Sequence, residues 1–294
     1  MPSPAYIGRF APTPSGYLHF GSLLAAVASY LDARSQKGQW LVRIEDLDTP
    51  RNVAGASEHI LRTLQAYGLH WDGEVVRQSQ RLALYESVID HWLETGQAYH
   101  CDCSRRQIIA HDGIYPGTCR DRQLPAAADH AVRVKVSAQT LSFDDRLQGC
   151  FSQELASSSG DFIIRRRDGI IAYQLAVVVD DIAQGVTDIV RGADLLDSTP
   201  RQLWLYHLLR QPAPRYLHVP LIMRHEGEKL SKRLGSTPLE PAQASATLYR
   251  ALRILTPEPP TALAAAPVAE QLQWAIDHWQ PQRLPATRQI LEPS

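Results

Sequence analysis

Residues 6–22, YIGRFAPTPSGYLHFGS, leave the backbone few options. The apolar Tyr6 and Ile7 can end a short strand. Pro12 and Pro14 then bar regular structure, because each lacks an N–H and restrains the residue before it. Gly16 permits a tight turn. His19, Phe20, Gly21 and Ser22 lead into LLAAVASYLDARSQ, whose Ala and Leu content favours a long helix. Leu23, Leu24, Val27, Tyr30 and Leu31 make that helix apolar nearly all round, so it is expected to be buried. Strand, irregular loop and buried helix make a phosphate-handling geometry, because the helix start offers unpaired N–H groups and partial positive charge. His19 and Ser22 can add side-chain donors, and Gly21 lets a ligand approach the backbone. The stretch is neither a GxGxxG fingerprint nor a GxxxxGK[ST] loop. On its own, a His beside a Gly is more often structural than catalytic.

Alternation of strand and helix continues downstream. Residues 40–44 read as a second strand ending at the acidic cluster Glu45, Asp46 and Asp48. Residues 55–67 are helix-compatible, with Ile60, Leu61, Leu64 and Tyr67 at helical spacing. Residues 79–95 read as a further helix, with Ser79 as its N-cap and Gly96 as its stop. This order predicts a parallel sheet with covering helices and ligands at the carboxyl ends of its strands, where Arg9 and Glu45 both fall. Residues 98–120 break the pattern and read as an insertion. Residues 131–136 alternate cleanly, as in a half-exposed strand. The segments around Arg165, Arg166, Arg167, Asp168 and Gly169 resemble a hairpin, and residues 175–181 rejoin the core. Residues 187–191 are a strand that ends on Arg191. Ser198 or Thr199 can cap a helix with Pro200 in its first turn. Residues 216–223 form a last strand before Glu228, Lys229, Leu230, Ser231, Lys232 and Arg233, a polar loop between Gly227 and Gly235. Beyond it, residues 248–255 and 268–279 can form helices.

Taken together, PTPSGYLHFGS and KLSKR resemble the two signature motifs of class I aminoacyl-tRNA synthetases, known by the consensus words HIGH and KMSKS. Arg9-Phe10-Ala11-Pro12 and LVRIEDLD at residues 41–48 resemble the glutamyl members, and among them a short relative of glutamyl-tRNA synthetase. The resemblance runs from about residue 6 to residue 235. It implies an α/β, Rossmann-like class I catalytic domain with a zinc-bearing insertion and a small helical C-terminal part. The expected divisions are residues 1–97 and 126–235 for the catalytic domain, 98–125 for the insertion, and 236–294 for the tail. A tail of that length is too short for an anticodon-binding domain of usual size.

The implied reaction begins with L-glutamate and ATP, without tRNA. The glutamate carboxylate attacks the α-phosphate, pyrophosphate leaves, and glutamyl-adenylate forms. The protein's task is alignment and charge compensation. The resemblance gives that work to His19, Lys229 and Lys232, with ATP held by His19, Gly21, Ser22 and Lys232. It gives glutamate to Arg9, Phe10, Ala11, Pro12, Thr13, Glu45, Tyr173 and Arg191. The two arginines hold the side-chain carboxylate and Glu45 receives the ammonium. Arginine suits a carboxylate through its planar pair of donors. Glutamine would leave a partly buried guanidinium unpaired, at a cost on the order of 3–5 kcal/mol. Aspartate, one methylene short, loses about 1–3 kcal/mol directly. Two positions depart from the pattern. Ser22 stands where the first consensus word ends in His, and Val177 stands where glutamyl-tRNA synthetases commonly carry Asn. Glu45, Asp46 and Asp48 can alternatively be a magnesium site or a solvated turn. Magnesium is expected with ATP.

Cys101, Cys103 and Cys119 supply three thiolates on the insertion, and a structural zinc ion takes four ligands. His100 and His111 are available by ordinary chemistry; the resemblance points instead to Tyr115. Spacing does not choose between them, and three reduced cysteines without metal are the alternative. Cys150 reads as an ordinary thiol. The second half-reaction implied is transfer of glutamate to queuosine, a modified wobble base of tRNA(Asp). The nearest rival is a truncated glutamyl-tRNA synthetase charging a 3′ end. A non-catalytic RNA-binding relative is another, against which the retained His19, Lys229 and Lys232 weigh. A net charge of −1 over 294 residues argues against a broadly basic shell, so RNA contact should use local patches such as Arg165, Arg166 and Arg167, or Arg120 with Arg122. The composition of 44% hydrophobic residues supports a packed core. No apolar run long enough for a membrane span and no signal-like N-terminus are found. Four cysteines do not make a disulfide framework. A cytoplasmic monomer is the expectation.

Overall fold

The computed structural model describes residues 5–109, 113–223 and 237–291. The polar loop with Lys229 and Lys232 lies outside the described residues, as does His111. Strand β1 (Ile7–Phe10) leads through the Pro/Gly loop to helix α1 (Phe20–Ser35) and strand β2 (Gln39–Ile44). Helix α2 (Ala56–Ala66), strand β3 (Val76–Arg77) and helix α3 (Leu82–Glu94) follow. Next come β4 (Ala98–Cys101), α4 (Arg105–Ile109), β5 (Ala131–Val134), β6 (Thr140–Asp145), β7 (Gly149–Glu154), α5 (Leu155–Ser158) and β8 (Phe162–Arg165). The chain then resumes with α6 (Tyr173–Ala183), β9 (Asp188–Gly192), α7 (Thr199–Leu208), β10 (Arg215–Val219) and β11 (Leu221–Met223). It closes with α8 (Ala244–Leu255), α9 (Val268–Asp277) and β12 (Gln289–Leu291).

The central layer is parallel, as the alternation of strands and helices predicts. β1 pairs with β2 and β2 with β3, while β9 pairs with β10, all in parallel register. The two sets meet where the Thr187 N–H donates to the Ile7 carbonyl (2.9 Å) and the Ile7 N–H to the Thr187 hydroxyl (2.9 Å). Successive strands therefore fall on opposite sides of β1, which opens a crevice at the carboxyl ends. Helix α1 packs on β1, β2 and β9 with one side and on α8 and α9 with the other. That sandwiching is the physical reason for its apolar circumference. Its one buried acid, Asp32, takes hydrogen bonds from the Tyr6 hydroxyl, from Arg146 (2.6 and 2.9 Å) and from the Trp279 indole (2.9 Å). The C-terminal helices are thereby tied to the first βα unit.

The second layer is antiparallel. β5 lies between β4 and β8. Being central, it is buried along its whole length, whereas its alternating sequence suggests a half-exposed strand. The polar position that suggested exposure is Arg133. Its guanidinium lies over the Tyr115 ring (3.8 Å to the centroid) and donates to the Asp161 carbonyl (2.7 Å) and to Cys101 Sγ (3.2 Å). Ser79 does not cap α3, which begins three residues later. Its N–H and hydroxyl hold Asp46 instead (2.8 and 2.7 Å). The expected single strand at 216–223 is two strands, because Pro220 interrupts it. β11 pairs with β12 from the far end of the chain.

Candidate active site

Arg9 and Phe10 lie at the end of β1, Glu45 follows β2, Arg191 and Gly192 end β9, and Pro220 follows β10. Two adjoining cavities open there. One, of about 480 Å³, is lined by Arg9, Ala11, Glu45, Tyr173 and Arg191 among others. The other, of about 570 Å³, is lined by Pro12, His19, Gly21, Ser22 and Pro220 among others. Phe10, Thr13, Ala25, Gly192 and Asp194 line both. The residues expected at glutamate thus meet in one cavity, apart from Pro12, which faces the neighbour. Val177 is buried within the core on α6.

The second cavity is built by the helix start. His19 is the N-cap of α1, with extended backbone, and its Nδ1 accepts the Ser22 N–H (3.2 Å). Nε2 then carries the proton and donates to the Ser22 hydroxyl (3.0 Å). Ser22, where the consensus has His, is a partner of His19. A Cβ on Gly21 would stand 3.2 Å from the His19 ring, so glycine gives the ring its room.

The first cavity rests on a buried charge lattice. Asp181, on α6, accepts from Arg9 Nε (3.1 Å) and from Arg43 NH1 (2.8 Å). Arg43 also reaches Glu45 (3.3 Å) and lies 3.7 Å from Asp180. Asp180 is itself held by Gln78, Arg81 and Tyr85. Burial raises the Asp181 carboxyl, but the two guanidiniums outweigh it and its pKa falls below the ordinary value. Burial dominates at Glu45 and raises its pKa despite Arg43 and Arg9. A buried carboxylate in that condition gains from a further cation.

Arg191 is held differently. Its Nε donates to His218 Nε2 (2.9 Å), NH2 to the Thr199 hydroxyl (2.8 Å), and NH1 lies 3.5 Å from the Tyr173 hydroxyl. The guanidinium also lies over the Tyr216 ring. It is 5% exposed, and no carboxylate among the described residues makes an ion pair with it. His218 Nδ1 donates to Asp145 (2.6 Å). Burial pushes the His218 pKa down to about 4, so the ring is neutral.

Asp181, Arg43, His218 and Asp145 were not singled out by sequence reasoning, and Thr199 was named only as a helix cap. Two signals existed: charged Arg43 inside an otherwise apolar strand, and the paired acids Asp180-Asp181 ending an apolar helix. Of the other acids, Asp46 is used by Ser79, and Asp48 pairs with Arg51 (2.6 Å) and Arg166 (3.5 Å). The basic patches are similarly engaged. Arg120 pairs with Asp161, Arg122 with Asp102, Arg165 with Glu86, and Arg166 with Asp168.

Away from the cavities, the sulfurs of Cys101, Cys103 and Cys119 lie within 4.8 Å of one another and could hold a metal ion. The Tyr115 hydroxyl is 3.5 Å from Cys101 Sγ and 3.8 Å from Cys103 Sγ, and it accepts the Cys119 N–H (2.9 Å). Burial raises the Cys101 thiol, but its hydrogen bonds with Tyr115 and Arg133 outweigh it and the net shift is downward. Gly160 makes the fold here possible: its φ is +66°, and a Cβ would stand 2.1 Å from the Tyr115 carbonyl oxygen. His100 lies outside this trio, near His130. Cys150 is exposed. Among the described residues no helix is long and apolar enough to cross a membrane.

A parallel sheet split at β1, with a capping His at the first helix and an arginine-lined pocket beside it, is the setting of a class I tRNA synthetase catalytic domain. Residues 7–244 match the family described as "tRNA synthetases class I (E and Q), catalytic domain", and the chain belongs to that family. It is 57% identical to the glutamyl-Q tRNA(Asp) synthetase of Pseudomonas syringae pv. tomato over 292 residues, 99% of each chain. It is 58% identical to that of Ectopseudomonas mendocina over 288 residues, 98% of each. Among solved structures, a glutamate-tRNA synthetase from Elizabethkingia anophelis superposes with a TM-score of 0.79 at 25% identity, over 96% of this chain and 67% of that one. A glutamate tRNA ligase from Elizabethkingia meningosepticum, in complex with its amino acid, gives 0.81 at 24% identity, over 98% and 67%.

Proposed function

We propose that this protein is a ligase that activates L-glutamate with ATP, without tRNA, and transfers the glutamyl group to the queuosine of tRNA(Asp). The observation that carries the amino acid is the charge of the first cavity. Arg9, Arg43 and Arg81 are matched by Glu45, Asp180 and Asp181. Arg191 has neutral side-chain partners and makes no ion pair among the described residues, so its charge is open to a substrate carboxylate; Arg51 and Asp194 also line the cavity. Glutamate, with a side-chain carboxylate and an ammonium, offers partners to Arg191 and Glu45 respectively. Arg191 and the pocket-facing edge of Arg9 take its side-chain carboxylate, Tyr173 borders it, and Glu45 takes the ammonium.

In the first half-reaction the α-carboxylate oxygen attacks the α-phosphorus of ATP, an O–P bond forms, and pyrophosphate departs. His19, whose Nε2–H is held by the Ser22 hydroxyl, lines the neighbouring cavity with the start of α1, an arrangement suited to phosphate oxygens. Lys229 and Lys232 are assigned the pyrophosphate side, with magnesium accompanying ATP. In the second half-reaction a hydroxyl of the queuosine cyclopentene-diol attacks the glutamyl carbonyl and AMP leaves. The queuosine acceptor is supported by the relatives' name and by near-complete coverage of both chains.

Cys101, Cys103, Cys119 and Tyr115 fit a structural zinc ion, which would organise the insertion and take no part in the chemistry. Free thiols suit a reducing cytoplasm. The test is glutamate-dependent exchange of pyrophosphate into ATP without tRNA, followed by charging of tRNA(Asp) with and without queuosine. Exchange with glutamate and charging of the modified tRNA alone are expected. Charging of a 3′ end would overturn the acceptor, and exchange with glutamine in preference to glutamate would overturn the pocket reading.

A further inference from the structure

We propose that Asp145 and His218 are positioning residues that hold Arg191 by fixing the tautomer of His218. Neither faces the cavity, and both are buried, His218 completely. The logic is one of donors and acceptors. Arg191 Nε is a donor, so His218 Nε2, at 2.9 Å, must accept. Nδ1 must then carry the proton, and it meets Asp145 Oδ2 at 2.6 Å. A carboxylate beside Arg191 would neutralise it; a neutral imidazole fixes its Nε edge and leaves the charge for a substrate anion. Thr199 and the Leu195 carbonyl restrain NH2, and NH1 stays beside Tyr173. The charged and titratable groups around His218 are Asp145, Arg191, Tyr216 stacked on its ring, and Arg9 further off.

Asp145 is itself oriented by the backbone. Its Oδ1 accepts the N–H groups of Leu147 (3.0 Å) and Gln148 (2.8 Å), and the His218 N–H lies between both oxygens (3.2 and 3.1 Å). In an Asp145→Asn variant, the two loop amides claim the single amide oxygen. The NH2 group then faces His218 Nδ1, the ring proton moves to Nε2, and an N–H points at the Arg191 N–H.

The inference rests on glutamate binding at Arg191, so its test has one arm that does not need substrate. Long-range 1H–15N spectra of histidine-labelled protein should report Nδ1–H for His218 in the wild type and Nε2–H in Asp145→Asn. In pyrophosphate exchange, Asp145→Asn and His218→Leu should raise the glutamate KM by roughly tenfold or more and leave the ATP KM within about twofold. His218→Gln, whose amide oxygen can accept from Arg191, should recover most of the loss of His218→Leu. An Nε2–H tautomer in the wild type, equal rises in both KM values, or a His218→Gln as impaired as His218→Leu would overturn the relay. If Asp145→Asn does not fold, the two His218 variants decide. A wild type that ignores glutamate would refute the substrate reading, and the spectra would still judge the tautomer.

Discussion

Replacing Asp181 by Asn tests whether the glutamate cavity is a charge lattice or a set of independent contacts. Asp181 is 1% exposed and bridges Arg9 and Arg43, themselves 4% and 0% exposed. The amide preserves shape but removes the negative charge from between two guanidiniums. Both arginines donate to Oδ1, so the amide oxygen can keep those two hydrogen bonds, while its NH2 replaces the Oδ2 that accepts from Arg9 NH2 (3.4 Å). Breaking a buried ion pair by removing one partner costs about 3–5 kcal/mol. Because the two hydrogen bonds to Oδ1 can survive, the loss should lie near the low end, about 3 kcal/mol, or roughly 100-fold in the folding equilibrium. Arg9 also loses the acceptor of its NH2 and the charge that compensates it, so the glutamate KM should rise while the ATP KM holds. Guanidinium denaturation of both proteins, followed by tryptophan fluorescence, gives the first quantity, and pyrophosphate exchange gives the second. A stability loss below about 1 kcal/mol, within the range of an exposed pair, would refute the lattice.

Further outcomes follow from the same geometry. His218 titrates at 6.5 when unperturbed and at about 4 here. Between those values the unfolded chain takes up a proton that the folded one refuses, so this contribution to stability is lost as pH falls from 6.5 towards 4. Its ceiling is about 3 kcal/mol, and His218→Gln should flatten that part of a stability-versus-pH curve. Gly21→Ala would crowd the His19 ring at 3.2 Å and should raise the ATP KM with little effect on that for glutamate, measured by exchange. Metal analysis should find one zinc per chain, lost in Cys119→Ser. Chelation should lower the melting temperature while sparing glutamate-dependent exchange; a zinc-free chain that melts like the untreated one would reject the site.

Much of the catalytic layer was legible in the sequence because its signals are local. Pro12, Pro14 and the apolar run after Ser22 dictate strand, loop and buried helix whatever the rest of the chain does. Arg9, Glu45 and Arg191 could be placed at strand ends by pattern alone. What was hidden depends on contacts distant in sequence. β5 looks half-exposed until β4 and β8 flank it and Arg133 turns inward to Tyr115. Ser79 looks like a cap until Asp46, 33 residues earlier, claims it. His218 sits in a strand that reads as plain core, and its role requires Asp145, 73 residues away. Periodicity reports which face is buried; it does not report which buried polar groups find one another.

The two arginines expected to do one job are held in opposite ways, and this bears on specificity. Arg9 is compensated by Asp181, so its charge is already spent inside the protein. Arg191 leans on a neutral imidazole and a hydroxyl, so its charge is not. Glutamine offers the same shape and one hydrogen-bond acceptor fewer, and leaves that charge unanswered, a cost on the order of 3–5 kcal/mol. Changing which arginine is compensated should therefore change the amino acid preferred. A Thr199→Asp substitution puts a carboxylate where Arg191 NH2 now meets a hydroxyl at 2.8 Å, answering the charge from within. The glutamate-to-glutamine ratio of kcat/KM in pyrophosphate exchange should then fall by about tenfold or more, through loss on glutamate. An unchanged ratio would mean that shape, and not the charge at Arg191, makes the choice.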